Sequence, residues 1–105
     1  MANIDISSKL GKEKQTIKIA EGKVFEVDNS ADTYLIIQEK FKNQDFSIES
    51  MYQMIETLMG KEALKEIKEM KLTINGLTSI VIAISAIVNE VEYEEMEKRF
   101  QETRQ

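Results

Sequence analysis

A chain of 105 residues with 42% hydrophobic residues and a formal net charge of −5 has the composition of one soluble globular domain, not of a wholly disordered chain. It contains no cysteine and no histidine, which excludes disulfides, thiolate or imidazole metal sites, and Ser-His or Cys-His nucleophile pairs. Its lysines are interleaved with glutamates, a poor match to the basic patch that nucleic-acid phosphates require.

The N-terminal stretch MANIDISSKLGKEKQ lacks the apolar core of a signal peptide. Together with the absent cysteines this fits a cytoplasmic protein. Residues 1–15 read as a loose arm, or as a weak edge strand through the alternation Ile4–Asp5–Ile6. From Thr16 the segment TIKIAEGKVFEV places Ile17 and Ile19 on one face, then Phe25 and Val27, around Gly22. This predicts a β-hairpin. A three-residue loop, Glu21 to Lys23, would pair Ile19 with Phe25 and Ile17 with Val27, so that apolar partners share a face. A two-stranded hairpin alone is marginal in water, so its apolar face is expected to pack on helices.

Ser30 is placed to cap a helix running from Ala31 to Asn43, with Tyr34, Ile37 and Phe41 on one stripe and Leu35 beside it. The tripeptide Gln44–Asp45–Phe46 breaks it. Ser47 then caps a third segment in which Met51, Ile55, Leu58 and Met59 share a face, and Gly60 stops it. The short segment 61–70 carries Leu64, Ile67 and Met70.

The stretch TSIVIAISAIV, Thr78 to Val88, is nearly all apolar. It is too short for a membrane span, which needs about twenty such residues. Alternating isoleucines would suit a strand, but Ile74, Leu77, Val81, Ile84, Val88 and Val91 recur at steps of three and four. Asn75, Thr78, Ser85 and Asn89 keep the same rhythm on another face, which predicts a helix with Thr73 as its N-cap. This helix, residues 74–91, is expected at the centre of the domain. Ile82 interrupts the small-polar stripe and has two readings. Either the helix is buried all round, or Ile82 is an exposed apolar residue used for self-association or a partner helix.

The tail from Asn89 keeps a narrow stripe of Tyr93, Met96 and Phe100 within a charged sequence, with glutamates at its start and Lys98, Arg99 and Arg104 towards its end. This predicts a last helix that docks through few residues or serves as a detachable partner surface. The carboxylates do not suggest catalysis. Glu62, Glu66 and Glu69 alternate with Lys61, Lys65 and Lys68, the pattern of a solvated helix face, and the glutamates of residues 90–97 read the same way. No enzyme activity, metal or cofactor is expected, and no membrane or nucleic-acid partner.

The fold expected is α+β and mostly α: residues 16–105 form one domain, an N-terminal hairpin packed on four to five helices. The order of elements, with Gly60, Leu64, Ile67, Met70, Leu72 and Thr73 leading into a long apolar helix and Phe100 in a charged tail, resembles the tail assembly chaperones of long-tailed phages and prophages of Gram-positive bacteria. The resemblance implies many copies coating a long helical tape measure protein, keeping it soluble and recruiting tail-tube subunits that displace them. It also allows for a homo-oligomer. Apolar anchors at helical spacing suit such a partner, and methionines repack easily around varied sequence. The candidate partner-binding residues are Met51, Met54, Ile82, Tyr93, Met96 and Phe100. The competing reading is a small acidic phage-encoded inhibitor or adaptor that binds a host protein, for instance by mimicking DNA charge.

Overall fold

The computed structural model describes residues 3–11, 14–40 and 47–103. It is α+β and mostly α, as the pattern predicts: an antiparallel hairpin, β1 (Gln15–Ala20) and β2 (Lys23–Val27), precedes five helices. These are α1 (Ala31–Lys40), α2 (Ile48–Met59), α3 (Lys61–Glu69), α4 (Ile74–Asn89) and α5 (Tyr93–Thr103). Phe41, the proposed extension of α1 to Asn43 and the break at Gln44–Phe46 lie outside the described residues.

Of the N-terminal residues, 3–11 and Lys14 form no strand, and Gln15 already belongs to β1. A single 3-10 turn, Ser7–Lys9, follows Asp5. The Asp5 carboxylate accepts from the Ser7 N–H at 3.0 Å and from its hydroxyl at 2.7 Å, a local bond that competes with extended pairing.

The hairpin register corrects the expectation. Ile17 pairs with Phe25 and Gln15 with Val27, not Ile19 with Phe25 and Ile17 with Val27. The loop is the two residues Glu21–Gly22 with Gly22 at φ 75°, and the ladder shifts between Lys18 and Ala20, leaving Ile19 as an extra residue on β1. That bulge absorbs the phase difference which the three-residue loop was meant to solve. It lets both Ile17 and Ile19 pack against the core while Val27 is fully buried.

The caps follow the sequence. The Ser47 hydroxyl accepts from the Ser50 N–H at 3.1 Å, and the Thr73 hydroxyl accepts from the Gly76 N–H at 3.0 Å. Each satisfies an orphan donor of a first helical turn. Gly60, at φ 98°, ends α2 and immediately opens α3; a residue with a Cβ would be strained there.

The core lies where α2, α3, α4 and the hairpin meet. Ile55, Ile67, Val81 and Ile84 are fully enclosed, with Val27, Met51, Leu58, Leu64, Leu77 and Ile80 around them. The end of β2 is tied to the end of α2 by the Asp28 N–H, which donates to the Leu58 carbonyl at 2.8 Å. A half-exposed ion pair, Lys23 to Glu66 at 2.9 Å, joins β2 to α3.

The central helix is buried along most of its length, but its ends depart from the expected stripe. Ile74 is 59% exposed, with Thr73 and Asn75 on either side of it also in solvent. At the other end α4 stops at Asn89 rather than running to residue 91. Glu90 takes the left-handed conformation, φ 55° and ψ 44°. The Glu90 N–H donates to the Ile87 carbonyl and the Val91 N–H to the Ala86 carbonyl, the paired bonds that close many helix C-termini. The small polar residues of α4 bond back along the helix: the Thr78 and Ser79 hydroxyls and the Asn89 amide donate to the carbonyls of Ile74, Asn75 and Ser85.

Candidate interaction surface

The turn at Glu90 sets α5 at 113° to α4. This lays the tail across the face of α4 that carries Ile82. Ile82, Ala86 and Met96 form a small buried cluster of their own, and Val91, Tyr93 and Phe100 close over it. Phe100 also reaches the main core. Ile82 is therefore 5% exposed. The reading of Ile82 as a free apolar residue is corrected: the polar stripe of α4 is interrupted there because α5 docks on it.

The six candidate partner residues fall into two places. Ile82, Tyr93, Met96 and Phe100 meet at the α4–α5 contact. Met51 and Met54 lie on α2 against α4, where the Thr78 hydroxyl is 3.8 Å from the Met51 sulfur and the Ser85 hydroxyl 4.0 Å from that of Met54. Met51, Ile82 and Met96 are buried, while Met54, Tyr93 and Phe100 are half-buried. Any direct partner contact through the first three requires a helix to move. Met54 also lines a cavity of about 80 Å³ between α1, α2 and α4, with Tyr34, Ile37 and Asn89; the Tyr34 hydroxyl donates to Asn89 Oδ1 across it at 3.3 Å.

Sequence reasoning missed the outer face of α1. Tyr34 and Ile37 turn inward, but Leu35 is 60% and Ile36 45% exposed. The signal was present, since Tyr34 to Ile37 is an unbroken apolar run and four consecutive helical positions span more than one face. Ile48, Leu72 and Ile74 are further exposed apolar side chains.

A second feature lies at the N-terminus of α1. The Asp28 carboxylate accepts from the Thr33 hydroxyl at 2.7 Å and from the Ser30 N–H at 3.0 Å, while the Thr33 N–H donates to the Ser30 hydroxyl at 3.3 Å. The bond from Thr33, then that from the Ser30 backbone, holds the Asp28 carboxyl below its ordinary value of 3.8. A carboxyl whose value is lowered on folding stabilises the fold above its unfolded pKa and loses that contribution as pH falls through the folded value. Asp28→Ala is thus expected to cost stability at neutral pH, with the difference from wild type shrinking below about pH 4. Urea titrations of both proteins at several pH values measure it; a difference that persists at pH 2 would refute the carboxylate's role. Asp28 borders an open groove of about 950 Å³, with Lys9, Lys14, Glu26, Thr57 and Gly60 on its walls. The charges there are of both signs.

Among the described residues no group of three or more Asp or Glu side chains is arranged to hold a metal ion, and no single helix is long and apolar enough to cross a membrane. No family model matches the chain, and neither a curated protein nor a solved structure matches it significantly.

Proposed function

We propose that this protein is a tail assembly chaperone, a non-catalytic binding protein that covers apolar helical stripes of a tape measure protein, keeps it soluble and helps to recruit tail-tube subunits. The observation that carries the reading is the outer face of α1, where Leu35 and Ile36 stand in solvent although the opposite face of the same helix is docked. Exposed neighbouring apolar residues on a short helix favour a helical partner in a shallow groove. The positions behind the family resemblance support it further. Gly60 separates α2 from α3, and Thr73 caps the long apolar α4. The net charge of −5 would help many bound copies repel one another and stay dispersed.

The test is co-expression with the tape measure protein that this reading makes its partner. The wild-type chain should hold that protein in the soluble fraction and co-purify with it in many copies. The double variant Leu35→Lys, Ile36→Lys should lose both effects while its own melting temperature stays within a few degrees, because both side chains are already exposed. Precipitation of the long protein in the presence of wild-type chain would overturn the proposal. So would binding that ignores the double variant and falls steeply with salt, the behaviour of an acidic charge mimic.

A further inference from the structure

The α4–α5 contact carries an inference that does not depend on the tape measure reading. We propose that α5 is an exchangeable element through which two copies of this chain pair: α4 and α5 straighten into one helix, and α5 of each copy docks on α4 of the other.

The argument begins with helical phase. If α4 is continued through residues 90–92 into α5 at about 100° per residue, Ile82, Ala86, Tyr93, Met96 and Phe100 all fall within about 40° of a single line. The closed fold does not require this, because the turn at Glu90 resets the phase between the two helices. An antiparallel pair of straightened helices can then place Phe100 opposite Ile82, Met96 opposite Ala86 and Tyr93 opposite Asn89. The occupant of the Ile82–Ala86 face is already defined: it is α5, which closes the same cluster within one chain. Exchange gathers Ile82, Ala86, Tyr93, Met96 and Phe100 into two symmetric contacts, the usual low-cost route to a dimer, and only Val91, about 180° from their line in a continuous helix, leaves the cluster.

The link favours opening. Glu90 occupies a left-handed conformation in which glycine is the usual residue. Among the described residues of the link it alone has a positive φ. A straightened helix relieves that position. Charge opposes the change, since the two links would meet near the two-fold axis with Glu90, Glu92 and Glu94 from both copies. Added salt screens such a meeting and should promote pairing.

Sedimentation equilibrium of the full chain across a wide concentration range, at low and high salt, gives the test. Glu90→Ala favours helix through the link and Glu90→Gly favours the turn. Each of the two links per dimer contributes roughly fivefold from helix propensity alone, so the dimer dissociation constants of the two variants should differ by tenfold or more. Salt should tighten both. A second measurement identifies the interface: Ala86→Cys with Met96→Cys, oxidised at high concentration, should give a covalent dimer on a denaturing gel, since the natural chain has no cysteine. Equal association by the two Glu90 variants would overturn the proposal. So would a disulfide that closes only within single chains at concentrations where dimer is present.

Discussion

Replacing Ile84 with alanine is expected to lower the unfolding free energy by about 2–5 kcal/mol, the range for removing a large aliphatic side chain from a packed core. Ile84 is 0% exposed and belongs to the cluster that contains Ile55, Ile67 and Val81. It lies midway along α4, the helix that packs against β1, α2 and α5, so the cavity cannot be closed by shifting a loop. Domains of this size have total stabilities of about 5–15 kcal/mol, and this loss alone would bring many of them close to unfolding. Ile74→Ala is the control. Ile74 occupies the same predicted stripe but is largely solvated, and its truncation should cost within about 0.5 kcal/mol. Urea unfolding of both variants reads the difference as a fall in midpoint at constant slope. Equal losses at the two positions would mean that the packing around α4 is not as described.

The contrast between these isoleucines shows which parts of the fold could be read from the sequence. Spacing identified the stripe and therefore the helix, and the capping residues Ser47 and Thr73 fixed where α2 and α4 begin, because capping is a bond between neighbours in the chain. Spacing could not say how far the stripe stays covered. That depends on where α2 and the hairpin end beside α4, a tertiary fact. The hairpin failed for a related reason. Its apolar residues were correctly identified, but pairing was argued on the premise of an unbroken ladder, and a bulge at Ile19 allows a two-residue turn with Ile17, Ile19 and Val27 still facing the core. Bulges leave no fixed residue signature, so the choice between the two registers was not available from composition.

The candidate surface was legible in part. The stripe of Tyr93, Met96 and Phe100 was identified as the face through which the tail helix either docks or meets a partner, and Ile82 as the residue that breaks the polar pattern of α4. Their connection was not. Tyr93, Met96 and Phe100 needed a partner, and Ile82 needed a cover; the turn at Glu90 supplies each with the other. Glutamate at a left-handed position gives little warning in a sequence, since glycine or asparagine is the usual marker. Leu35 and Ile36 were missed in the opposite way: Leu35 was set beside the stripe of Tyr34 and Ile37 and Ile36 was given no face, although an unbroken apolar run must reach the other side of a helix.

Ile82→Asp should separate the two clusters. A carboxylate at a position that is 5% exposed is costly to hold there, since an unpaired buried charge typically costs about 3–5 kcal/mol. The protein has a cheaper response than global unfolding. The Ile82 cluster is closed by α5, whose 11 residues follow a single turn at the end of the chain described here, whereas the main core is built from α2, α3, α4 and the hairpin. Releasing α5 returns the new carboxylate to water and leaves Ile55, Ile67 and Ile84 enclosed. Local opening of this kind is expected wherever an element carries few of the buried contacts. Hydrogen exchange should therefore show residues 93–103 losing protection by a hundredfold or more, while α2 and the middle of α4 remain protected. The helical signal should fall by no more than the share of α5. Phe100 also touches the main core, so a moderate loss of global stability accompanies the release. If exchange accelerates uniformly along the chain instead, Ile82 belongs energetically to the main core and α5 is not a separable element. If α5 keeps its protection, the tail is held by contacts other than the Ile82 cluster.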